Sequence, residues 1–282
     1  MTCSKLGTLR EKIASASKGA GGTSKILIAF SGGVDSGLLL KIAQDILGEA
    51  VFAVTLDAEI MPRSELKHAE QFVKALGCDY EIVKFPILDN KDFVKGSRER
   101  CYYCKKESAK ILAMIGADKE IKSIADGVNI SDFDEYRPGI KASDEAGIWH
   151  PFVDAGITKS DIRDIAKEIG LEFWDKPSSA CLATRIPYGD EITKDKLEQI
   201  ERAEEILRGK GFRFQQVRAR IHGEIVRIEV TAGEIDQALR LRTEIIRELK
   251  GIGFKYITLD LEGYRSGSMD VRVQGSGFKV QG

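Results

Sequence analysis

Short continuous apolar runs alternate with longer stretches of helical spacing along the first part of the chain. Residues 25–30, 51–56 and 80–85 are mostly apolar and of strand length, and residues 121–127 form a fourth such run ending in Asp-Gly. Between the first two, residues 37–43 read as a helix buried on one side. Pro62 opens another helix, whose stripe Leu66, Ala69, Phe72, Val73 and Leu76 stops at Gly77. A further helix starts at Thr158, with Asp161 three residues on in a near capping box, Ile162, Ile165, Ala166 and Ile169 as its apolar face, and Gly170 as its stop. Strands alternating with amphipathic helices predict an α/β fold, a parallel sheet covered on both faces with right-handed crossovers. A nucleotide then sits at the carboxyl ends of the strands.

The two ends of the chain are patterned differently. Leu6, Leu9 and Ile13 predict a leading helix, followed by a Ser/Gly/Ala-rich flexible connection, with Cys3 a bystander at the terminus. Beyond residue 189, a charged helix from Thr193 carries Leu197, Ile200, Ala203, Ile206 and Leu207 on one face. Strands at 212–220, 224–230 and 256–261 and a helix at 234–249 complete a compact α+β unit. The expected organisation is an N-terminal helix and linker over 1–24, a nucleotide-binding domain over 25–188, and a smaller C-terminal α+β domain for substrate or oligomer contacts over 189–282. The last residues, rich in Gly and Ser, are expected to be loose.

Composition narrows the classes. With 282 residues there is ample core for one α/β domain and a companion. A net charge of −1 offers no bulk attraction to nucleic acid, and no apolar stretch reaches membrane-spanning length, so a cytoplasmic protein is expected, without membrane or nucleic-acid partners. Five cysteines, an odd number, argue against a disulfide framework and for reduced thiols or metal ligation. Cys78, just before a strand, reads as a small buried hydrophobe, His68 as a solvated residue, and His150, between Trp149 and Pro151, as packed rather than catalytic.

The chemistry concentrates in three stretches. Between the first strand and its helix lies Ser31-Gly32-Gly33-Val34-Asp35-Ser36. Adjacent glycines let backbone N–H groups turn inward, and the helix adds unpaired donors and its positive dipole end, which together make a phosphate site. Ser31 and Ser36 supply hydroxyls, while Asp35 would repel a bare phosphate and so points to a bridging Mg²⁺. Leu56 and Asp57, at the end of the second strand, are the expected neighbours of adenine and ribose.

The second stretch, residues 98–106, holds Cys101 and Cys104 among arginines and lysines, which are expected to lower the thiol pKa. A redox dithiol, half of a zinc site and part of an iron–sulfur cluster are all open readings of that pair, beside a coincidental pair at a helix N-terminus. In the third, residues 174–189, small residues and prolines surround Cys181, as fits a thiol held on a defined loop for use.

The glycine loop resembles the PP-loop of the ATP pyrophosphatases, which split ATP between its α and β phosphates, and it lacks the Gly-Lys-Ser/Thr ending of a Walker loop. Asp126, Gly127 and Asn129 match an Asp-Gly-x-Asn that lies over the ATP in that superfamily. Together with residues 137–139, 177–189 and 263–270, these motifs are similar to the LarE family, the ATP-dependent sulfur-insertion enzymes of nickel-pincer nucleotide biosynthesis.

The resemblance implies ATP and Mg²⁺ at Ser31, Gly32, Gly33, Asp35, Ser36, Leu56, Asp126 and Gly127, with Asp35 and Cys181 as catalytic residues. It implies a carboxylate of a pyridinium biscarboxylate mononucleotide as the group adenylated and then converted to a thiocarboxylate. Family members either sacrifice the sulfur of the cysteine matching Cys181 or hold a 4Fe-4S cluster on three cysteines. With Cys101 and Cys104 beside Cys181, this chain resembles the cluster type. The implied partners are a small-molecule nucleotide substrate and a sulfide or other sulfur donor, in a homo-oligomer. Arg218 and Arg220, two apart and so on one strand face, are expected with Arg185, Arg265 and Ser266 to bind the substrate phosphate; the plain alternative for the strand arginines is a solvated edge strand. A cluster-dependent tRNA thiolase and a non-catalytic nucleotide-binding or zinc-stapled protein are the other classes carried forward.

Overall fold

The computed structural model describes residues 2–19, 22–134, 137–177, 180–209, 211–265 and 267–269. Ser266, the C-terminal tail and the side chain of Cys3 lie outside the described residues. The chain divides into two compact units, Met1–Cys181 and Leu182–Gly282.

The first unit is built on four parallel strands, β1 (Ile26–Ala29), β2 (Val51–Ala58), β3 (Asp79–Phe85) and β4 (Ser123–Ala125), in the order β3-β2-β1-β4. Their side chains alternate between two apolar layers, as a period of two requires. Ile26, Ile28, Val51 and Ala53 face the larger core, while Leu27, Phe52 and Val54 face a second cluster with Ala109, Leu112 and Ile148. That burial on both faces explains why the first two strands read as unbroken apolar runs. The sheet's direction of growth reverses at β1, which has β2 on one side and β4 on the other, so the crevice for a ligand opens at the carboxyl ends of β1 and β4.

The larger core is closed by α1 (Thr2–Ala16), α2 (Val34–Leu47) and α3 (Arg63–Leu76). Leu9 and Ile13 are buried, so α1 belongs to this core. The connection after it includes a short antiparallel ladder of Lys18–Gly19 with Gly22–Thr23. α2 is buried more completely than a one-sided stripe, with Leu38, Leu39 and Leu40 all inaccessible, because it is covered by other helices as well as by the sheet. The opposite face is covered by α4 (Arg100–Asp118), a 19-residue helix that carries Cys101 and Cys104 in its first two turns. α5 (Pro138–Glu145) packs on α4, and α6 (Lys159–Glu168) starts with the complete capping box of Thr158 and Asp161. Among the described residues no helix is long and apolar enough to cross a membrane.

The second unit has α7 (Lys194–Arg208) against a three-stranded mixed sheet, β5 (Val217–His222), β6 (Ile225–Val230) and β7 (Tyr256–Leu259), in which β5 and β6 are antiparallel and β6 and β7 parallel. β5 starts later than residue 212, since Arg213 takes φ 57° in a turn that stacks Phe212 and Phe214. The helix expected over 234–249 is two helices, α8 (Ile235–Arg240) and α9 (Arg242–Ile252), divided at Leu241.

Phe152, fully buried in the larger core, is the sharpest test of this packing: Phe152→Ala should cost about 3–5 kcal/mol, read as a lower urea midpoint for unfolding.

Candidate active site

β1 delivers the chain to the site under tight control. Phe30 N donates to Val54 O at 2.8 Å and Phe30 O accepts from the buried Thr55 hydroxyl at 2.9 Å, so the strand end cannot drift. The next three residues turn the chain into α2. Gly32 takes φ +80°, a conformation that a side chain would strain. Gly33 caps α2 without any side-chain hydrogen bond, which leaves the first N–H groups of the helix open to a ligand. Two hydroxyls brace the loop: Ser31 N donates to Ser36 Oγ at 3.2 Å, and the two Oγ atoms lie 3.0 Å apart.

A second loop, after β4, lies against the first. A Cβ on Gly127 would stand 2.8 Å from Ser36 N, so the close approach of the two loops requires a glycine there. Asp35 Oδ2 accepts from Asn129 Nδ2 at 3.3 Å, and Asp35 Oδ1 is paired with Lys159 at the start of α6. Asn129 is itself held by Asp132, which accepts from its backbone N–H at 3.0 Å and from its amide at 2.9 Å. Arg137 pairs with Asp132 at 2.9 Å.

Asp126 is the other charged node. Burial alone would raise its pKa, but Lys105 at 2.9 Å and His150 at 2.6 Å hold the carboxyl far below the usual carboxylate range. His150 is buried, which opposes charge, yet its Nδ1 faces Asp126 and its Nε2 faces Asp144 at 3.1 Å, so its pKa lies above the ordinary value. When protonated it donates to a carboxylate from each nitrogen.

These walls enclose a cavity of about 410 Å³, within the range for small-molecule sites. Ser31, Gly33, Asp35 and Ser36 line one side. Leu56, Asp126, Gly127 and Cys181 line others. A phosphate cradle, an apolar slot at the end of β2 and a cysteine thus share one opening.

Comparison with known proteins agrees with that geometry. The family model for NAD synthase matches residues 8–108. An uncharacterised protein of Synechocystis is 38% identical over 252 residues, covering 89% of this chain and 93% of its own. The pyridinium-3,5-bisthiocarboxylic acid mononucleotide synthase of Lactiplantibacillus plantarum is 36% identical over 247 residues, covering 87% of this chain and 89% of its own. The chain belongs to the LarE family of PP-loop enzymes. It is an ATP-dependent sulfurtransferase. An uncharacterised protein of the archaeon Methanocaldococcus jannaschii is 34% identical over 244 residues, covering 86% of this chain and 91% of its own.

Within this LarE-family chain the cysteines stand differently from one another. Cys101 is exposed, Cys104 and Cys181 are partly buried, and Cys78 is buried in the core with its thiol pushed up to about 11 by burial. The expected lowering by basic neighbours fails at Cys104, whose pKa is raised by burial and then by the nearby Cys181 and Cys101 thiols. Lys105 acts in the opposite direction with a smaller effect, and its ammonium pairs with Asp126 at 2.9 Å. Among the described residues no three His, Cys, Asp or Glu side chains are gathered as a metal-ion site.

The arginines picked for substrate lie in the second unit and already meet carboxylates. Arg185 is buried against Glu204, with Nε at 2.8 Å and Nη2 at 3.0 Å. Arg220 pairs with the inaccessible Glu229 at 2.8 Å, and Arg218 lies over the Tyr264 ring. Both strand arginines are buried, so the solvated-edge alternative does not hold. Arg265 is exposed and pairs with Glu262 at 2.6 Å.

Other readings also shift. Asp57 faces Arg63 and Lys84, which hold its carboxyl low against the opposing effect of burial, and it does not line the cavity. His68 is half-buried, edge-on to Phe173, rather than solvated. Lys105, Lys159, Lys176 and Glu65 were invisible as site residues, although the Thr158 capping box marked where Lys159 begins its helix.

Two outcomes follow. Gly127→Ala should abolish nucleotide binding while leaving a folded protein, because its Cβ would push the PP-loop backbone apart; calorimetry with ATP reads this. His150 has a raised native pKa, so its contribution to stability is full below about 6.5 and fades as pH rises through the native value. Urea midpoints measured upward from pH 6 should therefore fall with a slope that His150→Gln removes. His68 and His222 are shifted down, so their contributions grow as pH rises through about 6.5; they do so equally in wild type and His150→Gln, and the difference between the two proteins isolates His150.

Proposed function

We propose that this enzyme activates a carboxylate of a pyridinium biscarboxylate mononucleotide with ATP and replaces one oxygen by sulfur, as a step in nickel-pincer nucleotide biosynthesis. The observation that carries the reading is the shared opening, in which the phosphate cradle of Ser31, Gly33 and Ser36 and the thiol of Cys181 line one cavity.

In the first step a substrate carboxylate oxygen attacks the α-phosphorus of ATP, the α–β bridging bond breaks, and pyrophosphate leaves. The open N–H groups of α2 and the hydroxyls of Ser31 and Ser36 are fixed donors for that leaving group. Lys159, within reach of Asp35, adds positive charge beside it. Asp35 is the residue that would hold Mg²⁺, and the metal would supply further neutralisation of the developing charge. In the second step a sulfide displaces AMP from the acyl carbon, which gives a thiocarboxylate and completes the exchange without any net redox change.

Cys101, Cys104 and Cys181 would hold a 4Fe-4S cluster. Three soft thiols suit iron–sulfur chemistry. Support comes from Cys104, which feels both of the other thiols. When bound, a cluster with three thiolate ligands leaves one iron free to carry sulfide.

After anaerobic purification the protein should contain iron and acid-labile sulfide, and Cys104→Ala should contain neither. Absence from both proteins, with a mass loss of one H₂S at Cys181 after turnover, would replace the cluster by a sacrificial cysteine. Independently, Ser36→Ala should slow substrate-dependent pyrophosphate release roughly 100-fold or more.

A further inference from the structure

The PP-loop is gripped from behind by a lysine that belongs to the cysteine-bearing segment. Lys176 Nζ donates to the carbonyl of Gly32 at 3.3 Å and is paired with Glu65 Oε2 at 2.7 Å. Lys176 is itself anchored, since its own carbonyl accepts from Arg163 Nη2 at 3.1 Å and its ammonium lies over the Phe173 ring.

What Lys176 holds is the peptide unit between Gly32 and Gly33. Neither residue has a Cβ, so this peptide is freer to rotate than its neighbours in the loop. In a planar trans peptide the C=O and the N–H point in opposite directions. Fixing the Gly32 oxygen on Lys176 therefore turns the Gly33 N–H the other way, and Gly33 lines the cavity. The charge on the ammonium also polarises the unit, which strengthens the donor at its far end.

We propose that Lys176 is a positioning residue for adenylation. It locks the Gly32–Gly33 peptide so that the Gly33 N–H is presented to the departing pyrophosphate. Glu65, close enough to the loop to line the same cavity, keeps the ammonium in place and is neutralised by it. The inference rests on the ATP reading above and adds a residue that touches no substrate atom.

The test is calorimetric titration of wild type, Lys176→Met and the double variant Glu65→Ala/Lys176→Met with magnesium pyrophosphate and, separately, with AMP. Lys176→Met should weaken pyrophosphate about tenfold or more, the scale of a charge-assisted hydrogen bond, and leave AMP affinity within about twofold. The double variant should stay weak, because removing the carboxylate does not reorient the peptide. Recovery of pyrophosphate binding in the double variant would mean that Lys176 only neutralises Glu65, and would overturn the proposal. So would an equal loss for both ligands, or no loss for either. Wild type that binds neither ligand would instead strike the ATP reading itself.

Discussion

A carboxylate stands in the first turn of α2, on the wall of the cavity, and much of the first unit is arranged to make that tolerable. Asp35 follows directly on the N-terminus of α2, where an anion is favoured by the helix but would repel any phosphate bound at the same turn. Lys159 and Asn129 take its two oxygens. Asn129 is then fixed by Asp132, and Asp132 by Arg137. Alternating charges and dipoles run in this way from the PP-loop to the start of α5. Each member would be costly to leave unpaired in a partly buried setting, so the loop after β4 is drawn down over the PP-loop.

Asp126 ties the nucleotide wall to the cysteine helix. Its partner Lys105 is the residue next to Cys104 on α4, and its other partner, His150, follows the short bridge that Trp149 makes beside β4. A single buried carboxylate thus fixes the relation between the carboxyl end of β4 and the second turn of α4. Lys105 and the PP-loop residues Ser31, Asp35 and Ser36 line the same cavity as Asp126, so this node and the PP-loop share one wall.

The second unit uses buried ion pairs for a different end. Arg185 with Glu204 and Arg220 with Glu229 are nearly inaccessible, and such pairs add little net stability because desolvation offsets their attraction. Their strength is directional. The Arg185 fork fixes the turn before α7 on Glu204, which also accepts from Ala219 N of β5 at 3.1 Å; the Arg220 fork joins β5 to β6, and Ser268 is drawn into the Glu229 group at 2.8 Å.

Sequence alone determined the features whose cause is local. Strand, paired glycines and helix N-terminus adjoin one another in the chain, and so the phosphate turn at residues 31–36 was legible, as were the α/β alternation, the Thr158 capping box and the buried character of Cys78. Partners that come from far along the chain were decided only by the tertiary structure. Lys159 meets Asp35 across 124 positions and Lys176 meets Gly32 across 144, and no local pattern distinguishes either from a solvated lysine. Burial decided the rest. The basic run around Cys101 and Cys104 promised acidic thiols, but packing withdraws Cys104 from water and spends Lys105 on Asp126. The arginines on β5 shared a face as their spacing required, yet the Glu229 that Arg220 bonds comes from β6 and the Glu204 whose charge acts on Arg218 comes from α7, which only the folded unit brings to them. Short-range backbone preference is written in neighbouring residues, whereas desolvation and charge pairing depend on which distant segments the fold sets side by side.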